Sequence, residues 1–303
     1  MKKKLFQIIV VSLLGIFLTA LVVERVVAYK LNEITHPKHV DNYEMTFENG
    51  QPIQQIRFET ADHLTLTGWY IPPQNGATII LQHGYAANSA QMLPIGLMLA
   101  RHGYGVLFFD FRGHGKSDSD TVTLGLREVQ DTDAAVHFLR KQPEVRKIGL
   151  IGSSMGGATG ILAASKNTEI EAIAVEGVFS ALKDEVGIGI EVQTPLPAFP
   201  FDLIFIYIAE LETGFRFSHV APVQEIGKIS PRPVLIMQSG NDQRIHSNSG
   251  EHLFAAAQEP KQYWHEPSAA HTKIYETAPQ EYEKHVITFF NQYLAQDPSK
   301  IVP

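Results

Sequence analysis

Along most of the chain, short, mostly apolar runs alternate with longer segments whose apolar residues recur at helical spacing. The runs are Ala77–Gln82, Gly105–Phe109, Lys147–Ile151, Ile170–Val175, Pro233–Gln238 and Gln262–His265. Between them the spacing predicts helices near Met92–Arg101, Leu124–Lys141, Met155–Ser165 and Ser249–Ala257, and a terminal helix from about Pro279 to Leu294. Strands that are apolar on both sides and separated by helices belong to a parallel sheet covered on both faces, so the pattern predicts a three-layer αβα body. Two earlier runs, Ile53–Thr60 and Leu64–Tyr70, alternate apolar with polar residues across the turn Ala61-Asp62-His63. They read as a half-exposed antiparallel pair, which Pro72 and Pro73 end.

Two regions break this rhythm. From Phe179 to Ile229 the alternation stops, and Pro195, Pro197, Phe199, Phe201, Phe205, Tyr207, Phe215 and Phe217 crowd together. Asp202 and Glu210 interrupt the apolar part, so it does not read as a membrane span. The aromatics of residues 179–229 either line a pocket, face a membrane or bury against the body. The other region is the N-terminus: Lys2, Lys3 and Lys4 precede an uncharged run from Leu5 to Val23. As a helix it measures about 28 Å, close to the roughly 30 Å hydrocarbon core.

Residues 1–30 therefore read as a transmembrane anchor, with a cleaved signal sequence as the alternative. The apolar run is longer than the ~7–15 residues of a signal peptide, and Glu24 and Arg25 interrupt the approach to the one small-residue site, Val26-Val27-Ala28. The three lysines predict a cytoplasmic N-terminus and an extracytoplasmic body on a single-pass membrane protein. Residues 31–52 form a polar juxtamembrane connector, and residues 53–303 form the folded domain.

The 303 residues are 44% hydrophobic and 19% charged, enough to bury one large core, with a formal net charge of −7. No basic surface argues for nucleic acid as a partner. Cysteine is absent, which excludes a disulfide framework, a thiolate zinc site and a cysteine nucleophile together.

Gly152-Ser153-Ser154-Met155-Gly156 has the form G-x-S-x-G. Such a pentapeptide turns up by chance, so its setting decides: it joins a predicted strand to a predicted helix, where a sharp turn presents the serine at the end of a sheet. A serine hydroxyl needs a histidine within hydrogen-bond reach and a carboxylate behind it. Asp242, in the loop Ser239-Gly240-Asn241-Asp242, and His271, in the loop Pro267-Ser268-Ala269-Ala270-His271, each follow a later strand in the required order. Glu176 is the rival acid, since it ends the strand before. The oxyanion donors are expected from the backbone N–H of Met155, at a helix N-terminus, and of Tyr85 in the loop His83-Gly84-Tyr85. His83 reads as a buried, hydrogen-bonded turn residue.

Taken together, His83-Gly84, Asp110-Phe111-Arg112-Gly113-His114-Gly115-Lys116-Ser117, Gly152-Ser153-Ser154-Met155-Gly156-Gly157, Asp242 and Ala270-His271 resemble the α/β-hydrolase superfamily. The similarity is to its bacterial acyl-hydrolase branch near the Bem46-like and serine-aminopeptidase-like groups, and runs from about Ile53 to the C-terminus. It implies an eight-stranded, mostly parallel sheet, esterase-type chemistry, a structural role for Asp110 and Arg112, and a lid-like place for residues 179–229, whose aromatics would then line an acyl pocket. Relatives often carry a proline four residues beyond the acid, where this chain has His246. The expected activity is that of a serine hydrolase cleaving a carboxylester or thioester of a small-molecule acyl substrate through an acyl-enzyme, without a cofactor or metal. The alternatives are a serine peptidase or acyltransferase with the same triad, and a catalytically silent membrane-tethered binding module.

Overall fold

The computed structural model describes residues 2–48, 50, 52–119 and 121–294. The last nine positions assigned above to the folded domain, and residues 1, 49, 51 and 120, lie outside the described residues. The chain opens with helix α1 (Lys2–Thr35) and the antiparallel strands β1 (Gln54–Glu59) and β2 (Thr65–Ile71). It continues through β3 (Ala77–Gln82), α2 (Leu93–Arg101), β4 (Gly105–Phe109), α3 (Glu128–Arg140), β5 (Lys147–Ser153), α4 (Met155–Ala164) and β6 (Ala172–Glu176). Next come α5 (Leu182–Gln193), α6 (Ala198–Thr213) and the short α7 (Pro222–Glu225). The last elements are β7 (Val234–Ser239), α8 (Ser249–Ala256), β8 (Lys261–Glu266), the short α9 (Ile274–Thr277) and α10 (Pro279–Tyr293).

The eight strands form one sheet in the order β1-β2-β4-β3-β5-β6-β7-β8, in which β1, β2 and β4 pair antiparallel and the rest parallel. Alternate residues of each buried strand feed two cores, as the two-residue period of a strand requires. Ile80, Leu150, Val175 and Ile236 pack with Leu139 of α3, Ile161 of α4 and Leu253 of α8. Ile79, Leu81, Ile151 and Met237 pack on the other face with Leu99 of α2 and Phe289 and Phe290 of α10.

Most predicted elements lie within a residue or two of the observed ones. The helix expected from Leu124 begins at Glu128 instead, because the Glu128 carboxylate accepts from Thr123 N (2.7 Å), Thr123 Oγ1 (2.7 Å) and Gly125 N (2.8 Å). That ties residues 123–125 into a loop in which Leu124 and Gly125 take positive φ. In residues 179–229 the sequence pattern shows no clear element, whereas the structure has the helices α5 and α6.

α1 is one helix of 34 residues and a candidate membrane span. It continues past residue 30 to Thr35, where Val122 N donates to Thr35 O at 2.7 Å. Side chains from Leu5 to Val23 are exposed, some of them alongside α6, whereas Val27 and Leu31 are buried against the body.

The register positions the site. Gln82 pairs with Gly152, Ser153 with Glu176, Glu176 with Met237, and Ser239 with Glu266. The carboxyl ends of β3, β5, β6, β7 and β8 therefore lie along one edge, and the loops that leave them share a small volume, where an open α/β sheet holds its ligands.

Candidate active site

Ser154 stands between β5 and α4 with φ 53° and ψ −118°, a left-handed conformation that costs a non-glycine residue about 1–3 kcal/mol. Its N–H donates to Glu176 O at 2.9 Å. The tightness of this turn explains the flanking glycines. A Cβ on Gly156 would fall 2.5 Å from both Gln82 O and His83 O, and one on Gly152 would fall 2.5 Å from Gly157 Cα.

His271 lies in the loop between β8 and α9, and Asp242 in the loop after β7. The His271 Nδ1–H donates to Asp242 Oδ2 at 2.6 Å, which leaves Nε2 to accept from the Ser154 hydroxyl at 3.0 Å. The Asp242 side chain is fully buried, and its other oxygen accepts from Arg244 N at 2.8 Å and Ile245 N at 3.3 Å. These backbone donors fix which oxygen faces the imidazole. The acid loop thus orients Asp242 with its own backbone, with His246 four residues beyond the acid.

Glu176 does not join this line. Its buried carboxylate accepts from Ile274 N at 2.9 Å, and burial pushes its pKa up to about 7. It ties the start of α9 to the end of β6, three residues beyond His271.

The expected oxyanion residues flank Ser154. Met155 is the first residue of α4, where backbone N–H groups have no partner within their own helix. In the loop after β3, a Cβ on Gly84 would stand 3.5 Å from Ser154 Cβ, so Tyr85 begins one residue from the serine. Gln91 Oε1 accepts from Gly84 N at 2.8 Å and holds this loop in place. Sequence spacing contains no sign of that contact. Nor does it reveal that the Tyr85 phenol donates to Ile34 O, in the last turn of α1, at 2.9 Å.

His83 is fully buried, with Phe111 N donating to Nε2 at 3.1 Å and Nδ1–H donating to Gly84 O at 2.7 Å. Burial lowers its pKa to about 3, so it is a neutral brace. Asp110 accepts from Ser89 N (2.8 Å), Ser89 Oγ (2.7 Å), Lys116 N (2.8 Å) and the Tyr43 phenol. Arg112 donates to Asp131 and Asp62. Both residues tie loops together.

The order and register of the sheet, the serine turn after β5 and the loops after β7 and β8 are those of one known architecture. A family model described as serine aminopeptidase, S33, matches residues 73–195. The chain has the α/β-hydrolase fold and is similar in sequence to that superfamily. It is similar to the protein YqkD of Bacillus subtilis (strain 168), with 27% identity over 268 residues covering 86% of this chain and 88% of that one. It is also similar to the protein bem46 of Schizosaccharomyces pombe, with 26% identity over 227 residues, 72% of this chain and 70% of that one. The solved esterase Pf2001 of Pyrococcus furiosus superposes with a TM-score of 0.72 at 23% identity, over 86% of this chain and all of that one. The match to the family model supports hydrolase activity.

Proposed function

We propose that this α/β-hydrolase cleaves a carboxylester or thioester through a Ser154–His271–Asp242 triad. The observation that carries the reading is the unbroken line from Ser154 Oγ to His271 Nε2 (3.0 Å) and from His271 Nδ1 to Asp242 Oδ2 (2.6 Å). His271 takes the hydroxyl proton as Ser154 Oγ attacks the carbonyl carbon, and Asp242 stabilises the imidazolium. The oxyanion receives the N–H groups of Met155 and Tyr85. Collapse of the tetrahedral intermediate expels the alcohol or thiol with the proton from His271, leaving an acyl-serine. Water then gives its proton to His271, attacks, and releases the acid. No step calls for a cofactor.

The α1 helix is proposed as an uncleaved anchor, with Lys2–Lys4 cytoplasmic and the catalytic body on the other side. Packing supports this: the weak cleavage site at Val26-Val27-Ala28 lies inside a continuous helix whose Val27 and Leu31 are buried against the body.

A serine peptidase is the second reading, and the serine aminopeptidase description of the matching family model favours it. The two share every step up to the acyl-enzyme and part at the leaving group. Turnover of p-nitrophenyl acyl esters alongside aminoacyl p-nitroanilides, with the full chain in detergent micelles, separates them. The esterase reading expects ester turnover that Ser154→Ala abolishes and little anilide turnover. Faster anilide turnover that Ser154→Ala abolishes overturns it in favour of the peptidase.

A further inference from the structure

The helix α6 has three unlike faces. Phe205, Ile206 and Ala209 pack onto the core of the body. Ile204 and Ile208 line a crevice against α1 together with Gly15, Ile16, Thr19 and Val23. On the third face Leu203, Tyr207 and Leu211 follow one another at four-residue spacing, with Phe199 one step ahead at a break in the helix. These four are exposed by 57, 66, 67 and 71% in the order Leu203, Tyr207, Leu211, Phe199. A row of large apolar side chains on one helical face marks a surface that another apolar phase covers.

What covers it follows from the helix beside it. The α1 residues in the crevice belong to the uncharged run Leu5–Val23, the part of α1 that the anchor reading assigns to the hydrocarbon. Side chains in lateral contact with Gly15 and Thr19 then sit at the same depth. The tip between α5 and α6 is built for that medium, in which every backbone donor has to be satisfied internally. Thr194 N donates to Ile190 O (2.9 Å), Leu196 N to Thr194 Oγ1 (3.1 Å) and Ala198 N to Glu191 Oε1 (3.1 Å). The two remaining residues of the turn, Pro195 and Pro197, carry no N–H. At 16 residues α6 is too short to cross a bilayer, so the hairpin dips in and returns, its Glu191 and Asp202 carboxylates accepting from Ala198 N and Leu203 N.

We propose that the α5–α6 hairpin is a second membrane-embedded element, its Phe199–Leu203–Tyr207–Leu211 row lying in the leaflet beside α1, and that the substrate is an acyl ester whose chain resides in that leaflet. This rests on the readings of α1 as an anchor and of Ser154 as the nucleophile. The catalytic loops sit at the root of both elements. The Tyr85 phenol is bonded to Ile34 O at the end of α1, and His246 Nε2–H, in the acid loop, donates to Asp184 O at the base of α5 at 3.2 Å. In this arrangement the acyl chain rises between α1 and the hairpin toward the loops around Ser154.

The chain has no cysteine, so single substitutions carry a nitroxide label cleanly. The full chain is reconstituted into phosphatidylcholine–phosphatidylglycerol vesicles with labels at Leu203→Cys, Tyr207→Cys, Leu14→Cys in α1 and Lys284→Cys on exposed α10. Collision rates with oxygen and with a water-soluble nickel chelate are then compared. The proposal expects Leu203 and Tyr207 labels to meet oxygen preferentially, as Leu14 does, while the Lys284 label meets nickel. Nickel-accessible labels on α6 beside a lipid-buried Leu14 label overturn the proposal and leave the anchor standing. A nickel-accessible Leu14 label overturns the anchor reading itself. For the substrate, the double variant Leu203→Glu, Tyr207→Glu should lower the ratio of vesicle-embedded long-chain to water-borne short-chain ester turnover by at least roughly tenfold, because carboxylates resist insertion at that depth. An unchanged ratio overturns delivery from the leaflet. Failure of Ser154→Ala to abolish either turnover would instead refute the hydrolase mechanism.

Discussion

The phenol of Tyr85 donates to the main-chain oxygen of Ile34 at 2.9 Å, joining the loop that flanks Ser154 to the last turn of the N-terminal helix. One residue thus has two separate duties, a side chain that anchors the loop and a backbone N–H assigned to the oxyanion. Burial raises the phenol pKa above its ordinary value, so it remains a donor across the neutral range.

Those duties separate on mutation. Tyr85→Phe removes a hydrogen bond with a net worth of about 0.5–1.5 kcal/mol but keeps the N–H. The melting temperature of the full chain should fall slightly while kcat on a p-nitrophenyl ester stays within about threefold of wild type. A loss of about a hundredfold or more, the size associated with removing an oxyanion donor, would show that the phenol itself serves the transition state.

Two carboxylates compete for the acid role, and geometry divides them. Asp242→Asn leaves His271 without its acceptor and should lower kcat by about four orders of magnitude. Glu176→Gln keeps an oxygen for Ile274 N and should change kcat less than about tenfold. Stability supplies a second readout. The folded-state pKa of Glu176, about 7, lies above the ordinary 4.5. Between those values the folded state holds a proton that the unfolded chain has lost, so wild-type stability falls as pH rises through this window. The melting temperature of Glu176→Gln minus that of wild type should therefore grow between pH 5 and 8. A difference that is flat with pH, or a Glu176→Gln enzyme as inactive as Asp242→Asn, contradicts this division.

Gly156→Ala sets helix propensity against packing. Alanine gains up to about 1 kcal/mol within a helix, but its Cβ would lie 2.5 Å from two backbone oxygens, Gln82 O and His83 O, which cannot swing aside. Overpacking of this kind costs about 1–3 kcal/mol, so urea unfolding should show net destabilisation, with kcat lowered as the loop bearing Tyr85 is pushed from Ser154. Gly84→Ala is the contrast, since its Cβ would make an ordinary 3.5 Å contact with Ser154 Cβ. It should fold with wild-type stability; equal destabilisation by both would refute the packing account.

Much of this architecture is legible along the chain, because the inner strands are buried on both faces and read as unbroken apolar runs. Ser154 and Asp242 stand out for the same reason, each in the first loop after such a run, whereas His271 follows the partly exposed edge strand β8 and stands out by its order after them. Choosing between Asp242 and Glu176 is another matter. Both end neighbouring strands, and what separates them is that Ile274 N engages Glu176 while His271 faces Asp242. The helix α6 is hidden because it has an apolar residue for each of three surroundings and so shows no single polar face. The continuation of α1 to Thr35 is equally hidden, since polar Asn32 and Glu33 read as connector until Leu31 is seen buried and Thr35 O bonded to Val122 N.

The central claim is that Ser154 is an activated nucleophile, and the most direct measurement is covalent labelling of the full chain by a fluorophosphonate, which reports a serine made reactive by its base. Wild type should take one equivalent, placed on the peptide containing Ser154 by mass spectrometry. Ser154→Ala should take none, and His271→Ala should label at least about a hundredfold more slowly. A folded wild-type chain that takes no label, or a Ser154→Ala chain labelled as readily as wild type, would contradict the account.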